Sequence, residues 1–208
     1  MKVLAINGSP KSNGNTALAL QMVLKELESE GIETEMITIG QKEIRGCIGC
    51  GWCGAQQKKR CVFDDEVNLL LPKIIEADGL LLGSPVYYAG INGSIKSFLD
   101  RVFFVAGNNG SLMRHKVGAG IVAVRRSGGS TAFDQLNKYF LISEMVVVGS
   151  CYWSIIHGLM PGEASQDEEG LSVMRALGRN MAWVLHSLDR NNAERPQAEK
   201  RIMTNFVR

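Results

Sequence analysis

Short apolar runs alternate with helical patterns along this chain, and that alternation limits its fold more than any other feature. Residues 3–6 (VLAI) form the first run, followed by a turn-rich stretch to Asn15 and a helical pattern at Leu18, Met22, Leu24 and Leu27. Residues 35–39 (EMITI), 79–83 (GLLLG), 117–124 (VGAGIVAV) and 145–149 (MVVVG) repeat the strand signal. Helices are expected from an Asp64 or Asp65 cap to about residue 77, over 94–104, over 131–142 and over 167–188. Strands that are apolar on both faces cannot meet water on either side, so the sheet must be parallel and covered by helices above and below. The expected fold is a doubly wound, five-stranded parallel α/β/α sandwich. One domain should span residues 1–189, with a Gly- and Cys-rich insertion at about 40–61. The polar tail, 190–208, reads as a solvated extension or as an arm for a neighbouring subunit.

The 208 residues, 45% apolar and 21% charged, suffice for one buried core. Mean hydropathy near zero, with 23 Gly against 5 Pro, excludes a disordered or collagen-like chain. No apolar run approaches the roughly 20 residues that span a bilayer, and the start turns polar after Ile6, so neither secretion nor membrane insertion is expected. With 23 basic and 21 acidic residues the net charge is +2, which argues against nucleic acid and acidic membranes as partners. Five cysteines, four of them crowded together, do not make a secreted disulfide framework. A cytoplasmic protein that acts on small molecules is expected.

Residues 8–16 (GSPKSNGNT) join the first strand to the first helix, where a doubly wound sheet gathers its ligands. Ser9, Ser12 and Thr16 bring hydroxyls, Asn13 and Asn15 amides, and Lys11 the one formal charge. Gly14 lets N–H groups converge at a helix N-terminus. That chemistry suits a phosphate, although an ordinary polar turn has the same composition. The loop fits neither GxGxxG nor the P-loop pattern. After the third strand, Tyr87 and Tyr88 lie beside Gly90, which suits a flat ring approached by backbone amides, or two tyrosines packed on the next helix. After the fourth, Arg125 and Arg126 precede Gly128 and Gly129, which suits carbonyl oxygens or phosphate, or a solvated surface.

Taken in order, GSPKSNGNT, GSPVYYAGINGSIKSFLDR and VRRSGGSTAFDQLNKYF resemble the flavodoxin-like NAD(P)H-dependent FMN reductases, including the iron–sulfur flavoproteins, over residues 1 to about 189. The resemblance implies a flavodoxin-like fold with FMN at the switch point between the first and third strands. It implies phosphate contacts from Ser9, Lys11, Ser12, Asn13, Gly14, Asn15 and Thr16. It sets Pro85, Val86, Tyr87, Tyr88 and Gly90, with Arg125, Arg126, Gly128 and Gly129, around the flavin ring or its ribityl chain. The implied chemistry is hydride transfer from NAD(P)H to flavin N5 without a catalytic side chain, then release of electrons to a flavin, a quinone, another small acceptor or a redox protein. A homodimer or homotetramer is also implied.

Cys47, Cys50, Cys53 and Cys61 give the spacing C-x2-C-x2-C-x7-C, which resembles the compact motif of iron–sulfur flavoproteins that hold a 4Fe–4S cluster. Gly49 and Gly51 would allow tight wrapping, and Lys58, Lys59 and Arg60 could offset cluster charge. Bacterial ferredoxins, by contrast, leave three residues before the fourth cysteine and follow it with Pro, where this chain has seven and Val62. Three readings stand: the cluster, redox-active free thiols, or a four-thiolate zinc site. Cys151 is expected in the core. His115, His157 and His186 lack a second ligand at metal spacing and read as structural, and Asp134 reads as support for a helix start. The competing function is a flavodoxin-like one-electron carrier, for which the balanced charge provides no one-signed docking surface.

Overall fold

The apolar runs become strands buried on both faces: five of the six residues of β1 (Lys2–Asn7) and all eight of β5 (Val117–Val124) are buried. The computed structural model describes residues 1–190, 194–199, 202 and 204. Its other strands are β2 (Glu33–Thr38), β3 (Gly79–Tyr87), β4 (Gly90–Ile91), β6 (Val146–Val147) and β7 (Ile155–His157). The helices are α1 (Asn15–Ser29), α2 (Trp52–Gln56), α3 (Glu66–Glu76), α4 (Gly93–Gly107), α5 (Gly129–Ile142) and α6 (Glu168–Arg190), with a 3-10 turn at Glu163–Gln166.

The parallel strands run β2-β1-β3-β5-β6, the flavodoxin-like doubly wound order. Period-two alternation sends Val3, Ala5, Leu81 and Ile121 to one face, where Leu20, Val23 and Leu27 of α1 and Leu177 and Met181 of α6 cover them. Leu4, Ile6, Leu80 and Leu82 face Leu71, Phe98, Leu99 and Phe140 from α3, α4 and α5. Each buried Val, Leu, Ile, Phe or Met among these contributes about 1.5–3 kcal/mol by leaving water, which is what ties the helices to the sheet.

The sequence expectation differs in four places. The expected strand at 145–149 shrinks to Val146–Val147, because β6 pairs only with Val117 and Gly118. The other end of β5 pairs with β7, a strand too short to announce itself. Cys151 is exposed rather than in the core, because it lies in the open connection between β6 and β7. Asp134 is exposed in the second turn of α5, whose start is formed by Gly128 and Gly129, so it does not support that helix start. Part of the tail expectation (191–193, 200, 201, 203 and 205–208) lies outside the described residues. Within the described part, Arg114 donates to the carbonyl oxygens of Pro196 (2.7 Å) and Gln197 (3.0 Å). No helix among the described residues is long and apolar enough to cross a membrane.

Candidate functional site

The first loop is shaped by Asn7, whose wholly buried side chain accepts the Ser9 N–H (3.0 Å) and donates to Thr38 Oγ1 (3.2 Å). The Gly8 N–H continues toward β3 by donating to the Gly83 carbonyl (2.8 Å). Ser9 Oγ accepts the Lys11 N–H (3.1 Å), which curls the loop into the start of α1. The cap of α1 is Gly14, and no side chain caps it, so the first helical N–H groups keep their capacity for an anion.

The third-strand loop is pinned by buried Ser84, whose Oγ accepts the Asn92 N–H (2.9 Å), while Asn92 caps α4 by accepting from the Ser94 N–H (2.7 Å). Between them β3 and β4 make a hairpin in which Tyr87 pairs with Gly90. Its tip, Tyr88 and Ala89, has φ of +50° and +58°. Such turns ordinarily use Asn-Gly, and each non-glycine there costs roughly 1–2 kcal/mol.

These loops border one cleft at the carboxyl edge of the sheet, with about 620 Å³ of free space counted to its open mouth. Ser9, Lys11, Gly14, Asn15 and Thr16 line one side, Pro85, Val86 and Tyr87 another, and Ala123 and Arg125 a third. The rest of the predicted set lies elsewhere. Ser12 and Asn13 are exposed outside the lining, Tyr88 stands wholly exposed at the hairpin tip, and Gly90 backs onto Gln135. Arg126, Gly128 and Gly129 line an adjoining cavity with Tyr152, Trp153, His157 and Asp167. Gly128 packs against the hairpin tip, since a Cβ there would stand 2.7 Å from the Ala89 Cα.

Sequence reasoning missed the segment after β7, which completes the cleft with Gly158, Leu159 and Pro161. Its only local signal was the Pro161-Gly162 turn. Asn15 fastens it: its Nδ2 donates to the Met160 carbonyl (3.0 Å), and its Oδ1 accepts from the N–H groups of Gly162 (3.0 Å) and Ala164 (3.2 Å). That leaves the Asn15 main-chain N–H, not its amide, to face a ligand. Glu163 closes the same turn by accepting the N–H groups of Met160 (2.8 Å) and Leu159 (2.7 Å), which hold its carboxyl below the usual carboxylate range. The folded value is therefore below the unfolded one, about 4.3. The stabilisation is present above about pH 4.3 and lost as pH falls through the folded value. Flavin affinity measured from pH 6 to pH 3 should fall through that window, and Glu163→Gln should flatten the Glu163 part of the slope.

The lining fits FMN by its chemistry. Among the described residues it holds two cations, Lys11 and Arg125, no carboxylate, and an uncapped helix start, which suits a dianion, beside an apolar wall of Pro85, Val86 and Tyr87, which suits a ring.

The four clustered cysteines border a second cavity with Val62, Phe63, Arg101, Phe104 and Val105. Gly49 (φ +64°) and Gly51 (φ +70°) do take the left-handed conformation that the wrapping needs. Cys47 and Cys50 are exposed, Cys61 is half-buried, and Cys53 is buried, which pushes its thiol up. No group of three or more His, Cys, Asp or Glu side chains among the described residues is arranged to hold a metal ion. In number and type the four thiols around this cavity match the one thiolate per iron that a four-iron cluster takes. The lysine run at 58 and 59 is exposed and Arg60 pairs with Asp64 (2.9 Å), so the cation that borders this cavity is Arg101. In native, iron-free protein a thiol reagent should label Cys47, Cys50 and Cys151 first and Cys53 last. With a cluster in place only Cys151 should react, as read by mass spectrometry.

The sequence model of the family described as NADPH-dependent FMN reductase matches residues 1–159. An iron–sulfur flavoprotein of Methanocaldococcus jannaschii is 38% identical over 89% of this chain and 97% of its own length. Among solved structures, RosB with bound 8-demethyl-8-formylriboflavin-5'-phosphate superposes with a TM-score of 0.74 at 18% identity, covering 99% of this chain and 92% of that one. An NADH:FMN oxidoreductase in its apo form gives 0.62 at 17% identity, over 92% and 91%. At these identities the two structures speak for the fold.

Proposed function

We propose, because this chain belongs to the NADPH-dependent FMN reductase family, that it is an FMN-dependent oxidoreductase passing electrons from NAD(P)H to a flavin, quinone or other small acceptor. The observation that carries this reading is the cleft in which three loops and the segment after β7 set cations and an open helix start beside an apolar wall, with no carboxylate among its described lining residues.

Bound FMN would supply the hydride acceptance and the onward release of electrons. Around it, Ser9, Lys11, Thr16 and the first N–H groups of α1 hold the phosphate by charge and hydrogen bonding. Pro85, Val86 and Tyr87 exclude water from one side of the ring. Arg125, a cation in the lining, would favour the negative charge that the flavin gains on reduction, which should raise the reduction potential above that of free FMN. The exposed aromatic residues Tyr87, Tyr88, Tyr152 and Trp153 at the same rim support a homodimer or homotetramer. Free thiols in the cysteine segment suit a reducing, cytoplasmic setting.

A second reading, an iron–sulfur flavoprotein that serves redox-protein partners, is favoured by one observation: Cys47, Cys50, Cys53 and Cys61 all border a single cavity. In that reading they ligate a 4Fe–4S cluster, which would supply one-electron transfer.

Anaerobically purified protein should bind one FMN per chain and oxidise NADH or NADPH in the steady state with flavin or quinone as acceptor. Folded protein that takes up no FMN would defeat both readings. Protein that binds FMN and iron but is not reduced by either nicotinamide would leave the second.

A further inference from the structure

We propose that buried Arg101 and its half-buried partner Asp65 set the charge environment of the cysteine site, with Arg101 positioning Cys61 and stabilising negative charge on its sulfur. This rests on the reading that the four cysteines hold an iron–sulfur cluster.

Arg101 is 1% exposed and is the largest fully buried side chain of the described residues. A buried guanidinium persists only where its donors are used, because an unpaired buried charge is among the costliest defects a fold can carry. Here Nη1 donates to Asp65 Oδ2 (2.6 Å) and Nη2 to Asp65 Oδ1 (2.9 Å), a two-pronged carboxylate pair. Nη1 also reaches the Arg45 carbonyl (3.2 Å), which ties in the chain just ahead of Cys47. Of the two donors left, Nε–H points to Cys61 Sγ at 3.4 Å. The Phe63 ring lies 5.2 Å from the Arg101 guanidinium carbon and covers it.

Each partner is fixed independently. Asp65 caps α3 by accepting the Val67 N–H (3.2 Å). Cys61 donates its N–H to Asn68 Oδ1 (2.7 Å), and its carbonyl accepts from Asn68 Nδ2 (3.0 Å). Cys61 is the cysteine separated from the other three by seven residues, so backbone proximity cannot place it, and these contacts do.

One-electron reduction makes a cluster and its thiolates more negative. A cation at hydrogen-bond distance from one sulfur favours that state, and the carboxylate behind it opposes from farther away. Removing the two charges must therefore shift the potential in opposite directions. A pair that only held the fold together would not produce that signature.

The test uses the full chain, reconstituted anaerobically with iron and sulfide, with iron, sulfide and FMN contents measured beside an EPR-monitored redox titration. Arg101→Gln should make reduction at least tenfold less favourable, 59 mV for a one-electron couple. Asp65→Asn should shift the potential upward. Should Arg101→Gln not fold, Arg101→Lys keeps a cation but not the planar fork, and should still shift downward. The idea is overturned by unmoved potentials at full iron content, by shifts of one sign, or by joint loss of iron and FMN from Asp65→Asn and Arg101→Lys. Wild-type protein that takes up FMN but no iron would instead sink the cluster reading beneath it.

Discussion

Gly40→Ala should cost the protein at least tenfold in FMN affinity, although Gly40 is not among the residues that line the cleft. It follows β2 and lies under the first loop so closely that a Cβ would stand 2.2 Å from the Ser9 carbonyl carbon, 2.3 Å from its oxygen and 2.5 Å from the Gly8 oxygen. These are main-chain atoms of the first loop, and no rotamer change can move them aside. The loop is held on its other side by the Gly8–Gly83 and Asn7–Ser9 hydrogen bonds, so the displacement must pass forward to Lys11 and Gly14. Overpacking of this kind costs about 1–3 kcal/mol or more. For a chain of this size that corresponds to a fall of about 2–12 °C in Tm. Gly93→Ala is the control, because nothing lies within 4 Å of its Cβ and the position is helical. Calorimetry and flavin fluorescence on the two variants give the comparison. Wild-type affinity in Gly40→Ala would mean that the loop does not hold the phosphate in this arrangement.

Asn15 provides the second large effect, and a way to separate stability from binding. Asn15→Ala removes one donor and one doubly used acceptor, orphaning the Gly162 and Ala164 N–H groups beside a buried helix start. Such losses cost about 1–3 kcal/mol, and the segment carrying Gly158 and Leu159 should loosen, with FMN affinity falling on the order of tenfold or more. Asn15→Asp keeps the acceptor and places a carboxylate at the N-terminus of α1, where it favours the helix but repels a phosphate. It also sets a carboxylate oxygen against the Met160 carbonyl where Nδ2 had donated, so its Tm should fall, though less than that of Asn15→Ala, while its FMN affinity falls further. Equal losses in both quantities would show that position 15 acts through folding alone.

The layered parallel fold was legible because its signal is local. The β1 and β5 runs are buried on both faces, as their composition required; of the α1 positions that the helical pattern marked, Leu24 and Leu27 are buried, Leu18 and Met22 only partly, and Leu20 and Val23 complete the face. The three loops at the sheet edge were legible for the same reason: turn residues, hydroxyls and charges sit within a few residues of one another. The order of the cysteines, and the glycines that let them wrap, could also be read directly. β7 could not, since three residues carry no period, and it is held only by its pairing with the end of β5. With it went the Gly158–Pro161 wall of the cleft. Cys151 looked like core because its neighbours are aromatic, yet Tyr152 and Trp153 are themselves more than half exposed.

Sequence alone thus determined the strand and helix alternation, the loops that gather at the carboxyl edge, and a four-cysteine segment. Tertiary structure decided how those loops divide between two adjoining spaces and which remote residues finish each site. Asn15 reaches Gly162 across 147 positions, and Arg101 reaches Cys61 across 40. The reason is physical: period and turn chemistry are set by neighbours along the chain, whereas a hydrogen bond in the interior depends on which distant segments the packed sheet brings into contact.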